Sequence, residues 1–216
     1  MSERPTIEDA SPAALEARRA RLAAHTIRVM KFGGTSVATA ARLRDIVALV
    51  GTAAQKERVA VVASAVSGIT DLLLAGLAAA GAGRTSDTVS QYRARHAALA
   101  GELSPELGVE RFGRLMRSLE DLALELDERL RGVALLRDCS PRVHAHTVTL
   151  GERASCAILG ALLAAAGHDV RALDPLVVLP CSGDPLEATP NVSAMHAALA
   201  ELRQGGDLVM LMPGFF

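Results

Sequence analysis

The fold is decided by the stretch Thr26-Ile27-Arg28-Val29-Met30-Lys31-Phe32-Gly33-Gly34-Thr35-Ser36, near the start of this 216-residue chain. Its first seven residues are mostly β-branched or apolar and predict a β-strand, which the glycine pair ends abruptly. The apolar residues that follow have the spacing of a helix buried on one side: Leu43, Ile46, Val47 and Val50. The sequence therefore predicts a strand, a tight loop and a helix, in that order.

The same order recurs along the rest of the chain. Residues 59–63 form a continuous apolar run, which is typical of a strand covered on both faces, and a helix is predicted from about Thr70 to Ala80. Later patterns predict helices over 149–166 and 192–202, and strands over 169–173, 177–179 and 208–212. Alternating strands and helices favour an α/β fold with a parallel central sheet.

A long helical region separates the two halves of this pattern. One side of it carries an apolar stripe: Leu115, Leu119, Leu122, Leu126, Leu130 and Val133. The other side is charged, and the stripe is too short for a stable coiled coil with a partner. We therefore predict a helical insertion over about 86–136 that packs its apolar side on the domain.

Composition excludes several classes of protein. The 23 basic and 24 acidic residues balance, so no global basic field would hold nucleic acid or a membrane surface. Aromatic residues make up 2% of the chain, which leaves few platforms on which bases could stack. The odd number of cysteines, three, is typical of reduced thiols and predicts a cytoplasmic protein. Residues 1–26 mix acidic and basic side chains, so we predict an N-terminal extension and no secretory signal, and no apolar run predicts a membrane span.

The first loop has the chemistry of a phosphate site. A strand delivers Lys31 into residues 33–36, where glycine amides, hydroxyl groups and a following helix could all favour an anion. An ordinary strand-to-helix turn with a surface lysine is the alternative. Neither the G-x-x-x-x-G-K-[ST] loop nor the G-x-G-x-x-G loop is present, so two common nucleotide sites are excluded.

Two further segments offer polar groups. Residues 64–70 place small and hydroxyl-bearing side chains at the carboxyl end of the second strand, where open α/β sheets bind ligands, although Thr70 would serve equally well as a helix N-cap. Glu152, after Gly151, would hold a cationic substrate group or simply complement a helix N-terminus, and the residues alone do not decide between these roles. We predict no metal site, because the spacing of Cys139, His144 and His146 matches no common zinc pattern.

Four of these elements together resemble the aspartokinases of the amino-acid kinase superfamily. The opening Lys31-Phe32-Gly33-Gly34-Thr35-Ser36-Val37 is similar to their first signature, and residues 64–70 to their second loop. Gly151-Glu152-Arg153 and Met212-Pro213-Gly214-Phe215 resemble two later elements, in the right order. The resemblance implies a three-layer αβα sandwich with a mainly parallel sheet. Residues 27–216 would be the front portion of the kinase domain, incomplete at its C-terminus.

The resemblance also implies a reaction, the phosphorylation of the L-aspartate side chain by ATP with Mg²⁺ to 4-phospho-L-aspartate. This is the first step of lysine, threonine and methionine synthesis. Lys31 would be the catalytic cation, and Gly33, Gly34, Ser36 and Ser64 would line the phosphate path. Thr70 and Glu152 would hold the aspartate, and the complete protein would be a homo-oligomer.

The sequence also departs from the family pattern. Position 149 is Thr where the family usually has Ser, and the leading extension is similar to that of aspartokinases fused to diaminopimelate decarboxylase. The chain stops before the Gly-Arg-Gly-Gly-Ser-Asp substrate loop, the adenine pocket and the regulatory ACT domains of the family. We therefore expect a front fragment with little or no kinase activity alone. The alternative is a non-catalytic binding module of the same fold.

Overall fold

The structure, a computed structural model, describes residues 27–197 and 209–214. The predicted N-terminal extension, the end of the predicted helix over 192–202, Leu208 and the two terminal phenylalanines lie outside the described residues.

Four parallel strands form the central sheet. They are β1 (Ile27–Phe32), β2 (Arg58–Ala63), β3 (Val170–Ala172) and β6 (Val209–Pro213), in the spatial order β1-β2-β6-β3. A separate antiparallel hairpin joins β4 (Cys181–Ser182) to β5 (Thr189–Pro190). The predicted α/β fold with a mainly parallel central sheet is confirmed.

The helices are α1 (Ala40–Ala54), α2 (Ile69–Gly81), α3 (Thr88–Glu102), α4 (Ser104–Leu136), α5 (Pro141–Ala165) and the single turn α6 (Pro175–Val178). Residues 192–197 are also helical. Gly108 interrupts α4 with a φ of 68°, a conformation that a glycine adopts without strain. Every predicted residue of the apolar stripe in α4, from Leu115 to Val133, is buried.

The larger core lies on one face of the sheet. Side chains from alternate positions of β2 and β6, such as Val61 and Leu211, pack there against α1 and α5. The opposite face carries a small apolar cluster in which Met210 contacts Leu173 and Val178, the latter from α6. Helix α4 packs against α5, and α3 packs mainly against α4, so α5 is enclosed by the sheet on one side and by helices on the other.

Two predicted elements differ from the structure. The strand expected over 177–179 is wrong, because residues 175–178 form α6: Pro175 takes the first helical position and the Asp174 carboxylate accepts a hydrogen bond from the amide of Leu176 at 2.9 Å. Helix α5 begins at Pro141, eight residues before the predicted start at 149. Its N-cap is Ser140, whose hydroxyl accepts from the amide of Val143.

Helix α5 is the one described helix that is long and apolar enough to cross a membrane. It carries Glu152 and Arg153 near its middle, and twelve of its residues are buried inside the protein. These features are those of a core helix, so its apolar composition reflects burial between the sheet and α4.

A buried tyrosine and histidine join α3 to α5. The Tyr92 hydroxyl donates to the carbonyl of Leu150 at 2.8 Å, and the ring of His96 lies 4.3 Å from that of Tyr92. His96 Nδ1 donates to the Tyr92 carbonyl at 2.8 Å, whereas Nε2 has no partner among the described residues. Burial lowers the pKa of His96 to about 4, so the ring is neutral near pH 7.

This buried histidine predicts a loss of stability in mild acid. Because the pKa of His96 is about 4 when folded and about 6.5 when unfolded, the unfolded chain binds more protons between these pH values. The free energy of unfolding should therefore fall by about 3 kcal/mol as the pH drops from 6.5 to 4. Urea denaturation at several pH values measures this. His96→Gln should reduce the dependence of the unfolding free energy on pH, and His196→Gln, at an exposed position, should not. If His96→Gln has the same pH dependence as the unaltered chain, His96 is not the group responsible.

Candidate functional site

The carboxyl ends of the strands meet at one edge of the sheet, as predicted. Phe32, the last residue of β1, pairs with Ala63, the last of β2, and Ala63 pairs with Pro213 of β6. Backbone hydrogen bonds continue this register into the loops: the Ser64 amide donates to Phe32 at 3.0 Å, and the Gly214 amide donates to Ala63 at 3.1 Å. Three loops that lie apart in sequence therefore form one surface.

Gly34 allows the first two loops to touch. Its carbonyl accepts a hydrogen bond from the amide of Ser67 at 3.2 Å. A β-carbon at position 34 would lie 2.7 Å from the carbonyl oxygen of Ala65, which is closer than side chains tolerate. The glycine is thus required by the backbone contact between the loops.

Gly33 has a different role, because a β-carbon there would meet nothing within 4 Å. It is exposed and opens a turn in which its carbonyl accepts from the amide of Ser36 at 2.8 Å. The Arg42 guanidinium of α1 donates to the Thr35 carbonyl and holds the far side of this turn. A ligand could therefore approach the backbone at Gly33 without meeting a side chain.

The first loop does not run directly into a helix, as the sequence interpretation assumed. Helix α1 begins at Ala40, with Thr39 as its N-cap, so residues 37–39 separate Ser36 from the helix. The loop amides and the Lys31 ammonium are therefore the groups nearest an anion, and the helix dipole acts from farther away.

Lys31 is exposed and is the second-last residue of β1, directly before Phe32 and the loop. Its neighbours Met30 and Phe32 pack into the larger core, so Lys31 projects from the opposite face of the sheet. Among the residues that the structure describes, no carboxylate pairs with its ammonium group. The charge is available to a ligand that lies across the end of the strand.

The second loop brings Ser64 and Thr70 to the same edge. Ser64 is half-buried directly after β2, and Thr70 is exposed in the first turn of α2. The alternative reading of Thr70 as an N-cap is wrong: α2 begins at Ile69, and the N-cap is Gly68, with a φ of 76° and no side-chain bond. The Thr70 hydroxyl therefore does not cap the helix.

Glu152 reaches the site from the middle of α5. It lies eleven residues after Pro141, the first residue of the helix, so the alternative in which it complements a helix N-terminus is also wrong. A β-carbon at the preceding Gly151 would come within 2.8 Å of both Ala65 and Ile69. This close approach holds that part of α5 against the second loop, and the adjacent Glu152 is 9% exposed.

Cys156 follows one turn after Glu152 along α5. Burial raises the pKa of its thiol to about 12, and the carboxylate of Glu152 contributes in the same direction. The thiol is therefore protonated at neutral pH and behaves as a small apolar group.

The sequence interpretation missed two supporting residues. Tyr92 holds the Leu150 carbonyl, directly before Gly151, and Arg153 pairs with Glu125 of α4 at 2.9 Å on the other side of α5. A single tyrosine belongs to no recognisable sequence motif, and a glutamate and an arginine 28 positions apart have no spacing that predicts a contact. Both contacts are therefore visible only in the three-dimensional structure.

A large cleft lies on the neighbouring side of α5. It encloses about 1040 Å³ between α4, α5 and the segment from β3 to the hairpin, and none of the predicted site residues lines it. The described residues also contain no group of three histidine, cysteine, aspartate or glutamate side chains that could hold a metal ion.

Comparison with known proteins identifies the family. Residues 26–216 match the model of the amino acid kinase family. The chain belongs to this family. Its relatives include the aspartokinase of Chlamydia trachomatis, 28% identical over 87% of this chain, and chloroplastic aspartokinase 1 of Arabidopsis thaliana, 30% identical over 80%. The chain spans 39% and 30% of the lengths of these two relatives.

Solved structures agree on the fold of this amino acid kinase chain. The structure of E. coli aspartokinase III in complex with aspartate and ADP superposes with a TM-score of 0.73, at 23% sequence identity. The match covers 87% of this chain and 40% of the other. At this identity the likeness establishes a common fold.

Two neighbouring glycines give a matched test of the loop contact. Gly34→Ala should destabilise the protein by about 1–3 kcal/mol, because the new methyl group would overlap the Ala65 carbonyl. Gly33→Ala, which meets open space, should change the free energy of unfolding by less than about 0.5 kcal/mol. Urea denaturation of both variants measures the difference, and equal stability would contradict the described contact.

Proposed function

We propose that the protein acts in the ATP-dependent phosphorylation of the side-chain carboxylate of L-aspartate, the first step of lysine, threonine and methionine synthesis. One observation carries the proposal: Gly34 and Gly151 bring a phosphate-type loop and a buried glutamate to the same short segment around Ala65. The family of the chain and its similarity to proteins named aspartokinase support the choice of substrate.

The first loop would receive the phosphates of ATP. Gly33 offers an unobstructed backbone, and Ser36 and Ser64 add hydroxyl groups at the ends of β1 and β2. Lys31 would neutralise negative charge on the transferring phosphoryl group, since an ammonium group binds phosphate as a point charge. Gly34 contributes by letting the two loops approach each other.

The second loop and α5 would receive aspartate. Glu152 is the one buried acidic residue among those that the structure describes, and burial strengthens the attraction between a carboxylate and a cationic group. We therefore assign Glu152 to the binding of the α-ammonium group of the substrate. Thr70, whose hydroxyl is not used as a cap, would donate to a substrate carboxylate.

This chemistry needs no general base, because an aspartate carboxylate is already ionised at neutral pH. One of its oxygens attacks the γ-phosphorus of ATP, a new P–O bond forms, and the bond from that phosphorus to the β-phosphate oxygen breaks as ADP leaves. Positioning and electrostatic stabilisation then supply the rate. Mg²⁺ would enter with ATP, and we assign it no protein ligand among the described residues.

The complete enzyme would need more than this chain. Because the chain spans 30–39% of the length of these two aspartokinases, we propose that residues 1–216 alone have little kinase activity. The resemblance and the cysteine content lead us to propose also that the complete protein is a cytoplasmic homo-oligomer. A non-catalytic binding module of the same fold is the competing outcome of the assays below.

Aspartate binding tests the role of Glu152. Calorimetry on residues 1–216 should detect L-aspartate, and Glu152→Gln should weaken binding roughly tenfold to a hundredfold, because a charge-assisted hydrogen bond contributes about 1.5–3 kcal/mol. Glu128→Gln, at an exposed position on α4, is the matched control and should bind normally. Unchanged affinity in Glu152→Gln would remove that residue from the site.

The two lysines of the chain test the phosphate loop. In the product of the complete reading frame, Lys31→Ala should lower kcat for aspartyl hydroxamate formation by about 10²–10³, as for loss of a group that stabilises the transition state. Lys56→Ala, at an exposed position two residues after the end of α1, should leave kcat unchanged. A fully active Lys31→Ala enzyme would contradict the catalytic role. A product that binds aspartate and ATP without turnover would favour the binding module.

A further inference from the structure

The cleft beside α5 has one strongly basic wall. Arg142, His146 and Arg153 recur along one side of α5, and Arg129 of α4 faces the same space. Residues four, seven and eleven positions apart lie on one side of a helix, so the guanidinium groups of α5 face the same cleft. None of the predicted kinase residues lines the cleft.

The acidic groups of the cleft are already engaged. The Glu125 carboxylate binds both Arg153, at 2.9 Å, and Arg129. The Asp174 carboxylate caps α6 by accepting from the amide of Leu176. Two carboxylates thus face three guanidinium groups, and Arg142 has no ion pair among the described residues. The cleft carries an excess of positive charge and unused donors.

The positive field is centred on His146. The pKa of His146 is lowered first by partial burial and then by the charges of Arg129 and Arg142; Glu125 acts in the opposite direction, and Arg153 adds the smallest lowering effect. All three arginines are therefore close enough to act on one imidazole ring.

The opposite wall is apolar and includes Leu173, Leu176, Leu179 and Leu211. Apolar walls strengthen the field inside a cleft, because they exclude the water that would screen it. A volume of about 1040 Å³ is sufficient for a small molecule.

We propose that this cleft is a second ligand site, which binds a compact anion carrying at least two carboxylate or phosphate groups. The anionic groups would accept hydrogen bonds from the free N–H groups of Arg142 and Arg153, close to His146. The carbon skeleton of the ligand would lie against the leucines. Guanidinium groups suit this ligand because they present paired donors to carboxylate and phosphate oxygens. The proposal does not depend on the kinase function, because it uses other residues and a binding readout.

Histidine NMR on residues 1–216 tests whether the cleft binds such an anion. The chain is labelled at histidine Cε1 and titrated with inorganic pyrophosphate or with tricarballylate, at constant ionic strength set with potassium chloride. Either probe should shift the His146 resonance saturably and raise the pKa of His146, because the bound anion offsets the arginine charges. The buried His96 should not respond, and its resonance confirms that the chain remains folded.

Charge-matched variants complete the test. Arg142→Gln, at an exposed position, should weaken binding roughly tenfold or more. Arg114→Gln removes one positive charge from an exposed part of α4 outside the cleft and should bind as the unaltered chain does. A response to pyrophosphate alone would assign the site to phosphates, and a response to tricarballylate alone to carboxylates. No saturable shift with either probe, or an equal response in Arg142→Gln, would overturn the proposal.

Discussion

The structure depends on the close approach of three backbones at Ala65. A β-carbon at Gly34 would lie 2.7 Å from its carbonyl oxygen, and one at Gly151 would lie 2.8 Å from its side chain. The first loop, the second loop and α5 are thereby held within van der Waals contact at the carboxyl edge of the sheet. Groups that belong to separate elements can act together only because these two positions lack side chains. The two glycines are thus structural requirements of the proposed site, whatever its ligand.

Helix α5 connects this contact at Ala65 to the rest of the fold. It lies between the sheet and the outer helices, and Tyr92 and Arg129 donate to its carbonyls at Leu150 and His146. Side-chain donors from two neighbouring helices therefore fix its position near Gly151. A helix held in this way can carry a buried carboxylate at a defined place, which a surface loop would not do as reliably.

The aliphatic runs were sufficient to predict the central strands. β2 and β6 are buried on both faces and read as continuous apolar segments, so their positions and the order of elements follow from the sequence. The start of α5 did not follow, because the capping pair Ser140-Pro141 precedes a polar first turn without apolar periodicity. This error moved Glu152 into a first helical turn and made a dipole role plausible. The strand predicted over 177–179 was wrong for a related reason, since Asp174-Pro175 starts a helical turn despite the β-branched residues that follow.

The predicted site and the basic cleft share one helix. Gly151, next to Glu152, meets the second loop. Arg142 and Arg153 line the cleft, and so does Cys156, whose thiol is close enough to Glu152 for the carboxylate to raise its pKa. A ligand on either side therefore acts on the same helix. Linkage then imposes a condition: any factor by which a cleft anion changes aspartate affinity must equal the factor by which aspartate changes anion affinity. Because α5 is packed at Gly151 with no free space, such coupling would require a shift of the helix relative to Ala65. The contacts at Gly34 and Gly151 would determine the free energy that this shift requires.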